Sequence, residues 1–204
     1  MEDFFADRLF RALELGDIAP GSVLLAAPGI DLDFRSRTAV LIVEQTPERT
    51  LGITLNKRGD VAVANVMEQL VPLVAAPQAF YVGGDENLDS VVALGVLKAG
   101  LTPADIASAP FLRYLAHRIV VVDLRAPLAQ LQQYVESVRL FAGYLEWQGD
   151  RLEEELGQGY WYATPALASD VIAPGAVDLW AEILRRQPMP LPLFATFPSD
   201  LEDN

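Results

Sequence analysis

Cysteine is absent from the 204-residue sequence, which removes disulfides, thiolate metal sites and cysteine nucleophiles in one step. Histidine occurs once, as His117. A Ser-His-Asp arrangement would have to use it, yet it stands just before an apolar run, in YLAHRIVVVD, and no G-x-S-x-G elbow accompanies it. A partly buried structural histidine is the expected role. The phosphate loop G-x-x-x-x-G-K-[ST], a G-x-G-x-x-G after a strand, and H-E-x-x-H are also missing, so the common nucleotide, dinucleotide and zinc-hydrolase chemistries have no sequence support. No catalytic residue, metal ligand or cofactor-binding residue is assigned, and no cofactor is expected.

Basic residues are scarce, 15 against 28 acidic, for a formal charge of −13. Such a surface repels phosphate backbones at long range unless a basic stripe is segregated from the rest. The clusters Arg35 with Arg37, Lys57 with Arg58, and Arg185 with Arg186 are too short for that and are expected on solvated surface. Direct nucleic-acid binding is therefore disfavoured. Long apolar runs are lacking too: the nearest, 70–82, is broken by Pro72 and Pro77, well short of the roughly twenty residues of a membrane helix. No membrane association is expected. The opening MEDFFADRLFRALELG is acidic and interrupted by charge, unlike a signal peptide, so a cytoplasmic protein is expected.

What is present is core: 51% of the residues are hydrophobic, and the length suits one large domain, 1–204. Phe5, Leu9, Ala12 and Leu13 before Gly16 predict an amphipathic helix over 2–15. From Gly21, SVLLAAP, TAVLIVEQ and LGITLN are short apolar runs between turn formers, read as neighbouring strands. The loop PGIDLDFRSR between the first two exceeds a tight hairpin. Asn65 is read as the cap of a helix over 65–75, AFYV as a strand ending at Gly83 and Gly84, and 85–90 as an acidic turn before a strand from Val91. Thr102 and Pro103 open a short helix, IVVVDL is a buried strand, and Val177 to Arg186 is a closing helix. Thr164 and Pro165 read as the start of a short helical turn, Phe194 as part of a last strand, and SDLEDN as a frayed tail. Three strands precede the first long interior helix, which points to an α+β fold rather than a doubly wound sheet.

The densest stretch is 139–162, RLFAGYLEWQGDRLEEELGQGYWY. Leu128, Leu131, Val135, Val138 and Ala142 follow a three-four spacing and predict a helix running to Gly143. A second helix is expected over 150–156, with Asp150 and Glu153 forming a capping box and Trp147 buried in the hinge between the two. A half-buried strand, GYWYATP, follows. Asp85, Glu86 and Asp89 match no calcium-loop spacing, and Glu153, Glu154 and Glu155 are consecutive, so both groups read as solvated carboxylates.

In their order, GSVLLAAPGI, RTAVLIVEQ, LGITLN, YVGG and FAGYLEWQGDRLEEEL resemble the YqgE/AlgH family, with the F-x-G-Y-x-x-W and L-E pattern on Phe141, Gly143, Tyr144, Trp147, Leu152 and Glu153. The resemblance covers nearly the whole chain. Gln45 stands where the family usually has His, Lys57-Arg58 where it has Arg-Pro, and Gln148-Gly149-Asp150-Arg151 where it has G-P-G-Q. The resemblance implies a split, barrel-like mixed sheet surrounded by helices in one domain.

Two functional readings stand. One is a non-enzymatic binding or regulatory protein with an unknown protein or small-molecule partner; the other is an unrecognised hydrolase or transferase. A transcriptional regulator, as AlgH-type members are labelled, is third. If a ligand site exists, its expected contacts are Arg37, Glu44, Asn56 and Glu153, which could orient a small polar molecule. The same four could equally form an internal network that holds strands together.

Overall fold

The computed structural model describes residues 18–28 and 36–196; the predicted helix over 2–15, most of the loop after Pro28 and the acidic tail lie outside them. Ten strands form one sheet among the described residues, in the order β10-β1-β2-β3-β9-β6-β8-β7, with β4 and β5 off this path. β1 (Ser22–Ala26), β2 (Ala39–Gln45) and β3 (Arg49–Thr54) are antiparallel neighbours, as their apolar runs predict. The remaining strands are β4 (Arg58–Ala62), β5 (Ala79–Val82), β6 (Glu86–Leu97), β7 (Leu112–Ala116), β8 (Ile119–Val122), β9 (Val135–Gln148) and β10 (Trp161–Pro165). The helices are short: α1 (Pro103–Ala107), α2 (Leu128–Tyr134), α3 (Arg151–Gly157), α4 (Ala168–Val171), α5 (Leu179–Arg185) and α6 (Leu191–Phe194). The architecture is α+β, a curled, mainly antiparallel sheet with helices on both faces.

The organising element is β9, and here the helical reading is corrected. Only 128–134 is helical, and the next 14 residues are strand. The three-four spacing extends past Tyr134 because 138–141 are buried in succession on both faces, so Val135, Val138 and Ala142 fit a helical period as well as a strand. One edge of β9 pairs antiparallel with β6 from Val135 to Tyr144. The other takes β5 in parallel at Phe141 and Ala142, then β3 antiparallel from Leu145 to Gln148. Gly143 lies at this junction with φ +71, and a Cβ there would sit 2.7 Å from the Glu86 carbonyl oxygen. Gly84 is tighter, its Cβ position being 2.0 Å from the carbonyl carbon of Tyr144. The glycines of YVGG and FAGY thus let three backbones cross without side chains.

Alternation along β2 sends Leu41 and Val43 into one apolar cluster, with Trp180, Ile183 and Leu184 of α5. Val40 and Ile42 enter a second, with Trp147, Leu152 and Trp161. A third, centred on Val120, Leu131 and Val138, fills the far end. The register of β2 slips between Ile42 and Glu44, and the carbonyl of Val43 at this bulge accepts a 2.6 Å hydrogen bond from Arg113 Nη1 on β7. The sheet therefore curls until its β7 edge faces β2, and a Cβ on Gly21 would lie 2.3 Å from that of Ala116.

Other expectations change. Instead of a helix capped by Asn65, the structure has two 3-10 turns, Val63–Asn65 and Glu68–Leu73, the second containing Pro72; a proline ring removes the amide that an α-helix would use. The acidic turn is mostly strand, since β6 starts at Glu86. Thr164 and Pro165 end β10 rather than starting a helical turn, and Phe194 is helical rather than strand. The Thr102 helix is present with a reciprocal capping box to Asp105. No described helix is long and apolar enough to cross a membrane.

Candidate functional site

The four candidate contacts fall in three places. Asn56 accepts from the Ala39 amide at 3.0 Å and donates to the Arg37 carbonyl at 2.8 Å, clamping the entry of β2. Arg37 pairs with Asp178 and lies 4.3 Å over the Trp180 ring, so it joins that strand entry to α5. Glu44 is at the other end of β2, about 15 Å away at the rise of an extended strand, and bonds Arg49 at 3.0 Å. Glu153 is exposed on the first turn of α3. Arg37 and Asn56 are brought together as part of a structural clamp, and the two glutamates are not part of it.

At the β9–α3 junction the key carboxylate is Glu155. The side chain of Asp150 does not cap α3, which corrects the expected box with Glu153. Glu155, 9% exposed, points into the core, and its Oε2 accepts from Trp147 Nε1 and Trp161 Nε1, both at 2.8 Å. The two indoles meet edge-on with centroids 6.0 Å apart, and Trp147 is fully buried as expected, although it lies in strand β9 rather than in a hinge between two helices. Consecutive glutamates on a helix point in different directions, so one of the three faces the sheet. The sequence signal for this was a tryptophan on each side of an amphipathic turn. A polar concavity of about 600 Å³ lies alongside, lined by Gln148, Asp150, Arg151 and Glu154 among others; none of Arg37, Glu44, Asn56 and Glu153 is among its described lining.

Arg139, 1% exposed, is another buried charge that the sequence reading passed over. It donates to the carbonyls of Ala173 at 2.9 Å and Ala76 at 3.0 Å, and its guanidinium lies 4.4 Å over the Tyr81 ring. Burial pushes its pKa down from the usual arginine range. Two backbone oxygens and an aromatic face stabilise this cation in place of a carboxylate, and the arginine ties two loops to the middle of β9.

A different concavity, about 540 Å³, opens between α1 and β7. Leu101, Ile106 and Leu112 give it apolar walls, and Arg113, Tyr114 and His117 provide its polar groups. β7 is the last strand of the sheet, and its outer edge forms no ladder with a further strand among the described residues. Tyr114 is 50% exposed. His117 is exposed in the two-residue turn between β7 and β8, with φ +51, which corrects the expectation of a partly buried structural histidine. The run of apolar residues after it belongs to β8 and leaves the turn itself outside the core. The concavity combines apolar walls with a few polar groups, as small-molecule sites do. No group of three or more metal-binding side chains occurs among the described residues.

The comparisons agree on the family. An AlgH-like family model, DUF179, matches residues 23–192. UPF0301 protein CE2927 of Corynebacterium efficiens is 49% identical over 204 residues, covering 100% of both chains. The crystal structure of protein DIP2367 from Corynebacterium diphtheriae has a TM-score of 0.89 and 47% identity, covering 95% of this chain and 100% of that one. The solution structure of AlgH from Pseudomonas aeruginosa has a TM-score of 0.61 at 20% identity, covering 91% of this chain and 100% of that one, and so shares the fold. With the glycine crossing and the tryptophan motif in place and the match running through nearly all the strands, this chain belongs to the AlgH-like, UPF0301 family.

Proposed function

We propose that this chain is a cytoplasmic, non-enzymatic ligand-binding protein and that the concavity between α1 and β7 is its binding site. The carrying observation is the combination of apolar walls at Leu101, Ile106 and Leu112 with Arg113, Tyr114 and His117 in one space of about 540 Å³, within the usual range for small-molecule pockets. An acid–base role for His117 would call for an orienting carboxylate; the charged group that shares its concavity is Arg113, a cation. The wall is built on the last strand of the sheet and a capped helix, which gives a ligand a preformed surface.

The test uses a neutral, environment-sensitive dye, Nile red, and the variant Ala107→Trp. Ala107 is an exposed lining residue, so an indole there fills the space without entering the core. Saturable dye binding to the wild-type protein, weakened at least about tenfold in the variant, is the expected result. Absence of saturable binding, or equal binding by the variant, overturns this reading.

A further inference from the structure

Within that reading, we infer that the ligand is a small amphiphile with an extended apolar body and one anionic head, of the carboxylate type, whose head is held by Arg113. The inference rests on the concavity being the binding site and adds the chemistry of its occupant.

The chain carries a formal charge of −13, and a small anion approaching its average surface is repelled. The described residues lining this concavity include two ionisable side chains of basic type, Arg113 and His117, and no aspartate or glutamate. The nearby acids are engaged elsewhere. Asp105 accepts from the Thr102 amide at 2.7 Å and from its hydroxyl at 2.6 Å, closing the start of α1. Glu136 pairs with Arg118, the residue after His117, which also donates to the Leu97 carbonyl at 2.7 Å. One ion pair, Arg118 with Glu136, thus adjoins the turn, Asp105 remains an anion tied to the start of α1, and Arg113 is the full charge in the lining of the ligand space.

Arg113 is held for this task. Its Nη1 is committed to the Val43 carbonyl at the β2 bulge, which anchors one end of the guanidinium, and no carboxylate pairs with it among the described residues. An anchored, exposed guanidinium beside an apolar wall presents a planar donor fork suited to a carboxylate. Leu101, Ile106 and Leu112 would take the chain of the same molecule. A purely apolar ligand would leave this cation facing hydrocarbon, and a cationic head would be repelled by it.

The experiment compares decanoate, decanol and decyltrimethylammonium on the full chain, each below its micelle-forming concentration, by displacement of Nile red. Decanoate is expected to bind at least about tenfold more tightly than decanol, and the ammonium least well. Arg113→Met keeps the stem and removes the charge; within the variant, the decanoate-to-decanol affinity ratio is expected to fall to about one. Arg113→Lys is expected to restore part of the preference. Because Arg113→Met also gives up the bond to Val43, the headgroup comparison on the wild-type protein stands as an independent measurement. Equal binding of decanoate and decanol to the wild-type protein, or an Arg113→Met protein that keeps the preference, overturns the inference while leaving the dye result intact. Failure of Nile red itself overturns the binding-site reading instead.

Discussion

Replacing Glu155 with alanine tests what holds the α3 turn to the sheet. One carboxylate oxygen accepts both buried indole N–H groups, from Trp147 and Trp161 at 2.8 Å each. A hydrogen bond to a charged group contributes about 1.5–3 kcal/mol net, and a buried donor left without a partner costs about 1–3 kcal/mol. The two bonds share one oxygen, so their contributions are not additive, and Glu155→Ala is expected to cost about 3–5 kcal/mol. The salt bridge from Arg151 Nε at 3.6 Å comes from an exposed side chain and contributes little to this sum. Glu155→Gln keeps a carbonyl oxygen in place and should cost only about 1–2 kcal/mol. The assay is urea unfolding followed by circular dichroism, because tryptophan fluorescence would itself respond to the lost bonds. A double-mutant cycle with Trp161→Phe should show a coupling of about 1–2 kcal/mol. If Glu155→Ala unfolds within about 1 kcal/mol of the wild-type protein, the carboxylate is not the clasp and the indoles are held by packing alone.

Trp147→Ala, at a fully buried position, should cost about 3–5 kcal/mol; an unchanged melting curve refutes its role in the core. Gly143→Ala should cost several kcal/mol, on the order of twice a simple left-handed strain, because it adds a 2.7 Å approach to the Glu86 carbonyl at φ +71. Gly149→Ala, at φ +55 with nothing within 4 Å, should cost only about 1–2 kcal/mol, and equal costs in urea unfolding would refute the crossing argument. The Arg125 guanidinium and amide hold the Asp123 carboxyl down to about 2; its stabilisation is present above the unfolded carboxyl range and is lost as pH falls through about 2. By carboxyl NMR at pH about 3, below the usual aspartate range, Asp123 should still be ionised, whereas in Arg125→Ala, which keeps only the amide bond, its protonated fraction should rise. A net charge of −13 implies no duplex DNA binding at about 0.15 M salt, and a salt-sensitive gel shift at micromolar protein contradicts that.

The places where local reasoning stopped share a physical cause. Ser22–Ala26, Ala39–Gln45 and Arg49–Thr54 were legible as strands because turn residues bound each apolar run, and the Thr102 helix because its cap is written in four residues. The strand from Val135 to Gln148 was not, because the run of buried residues over 138–141 interrupts the alternation that distinguishes a strand from a helix, and the apolar residues before it continue a helical spacing. His117 misled for the opposite reason: it borders a buried strand in sequence yet sits in the turn outside it.

By itself the sequence determined the α+β class, the family, the burial of Trp147 and the acidic net charge, all of which depend on composition, short-range pattern or motif order. The tertiary structure alone decided that Glu155 serves two tryptophans, that Arg139 ties two loops to β9, that Asn56 and Glu44 stand at opposite ends of one strand, and that Arg113 reaches across the curled sheet to Val43. Each of these depends on which strands become neighbours and on where a bulge slips the register. Residues 34 to 70 positions apart meet in the contacts of Arg139 and Arg113, and local spacing carries no information about contacts of that range.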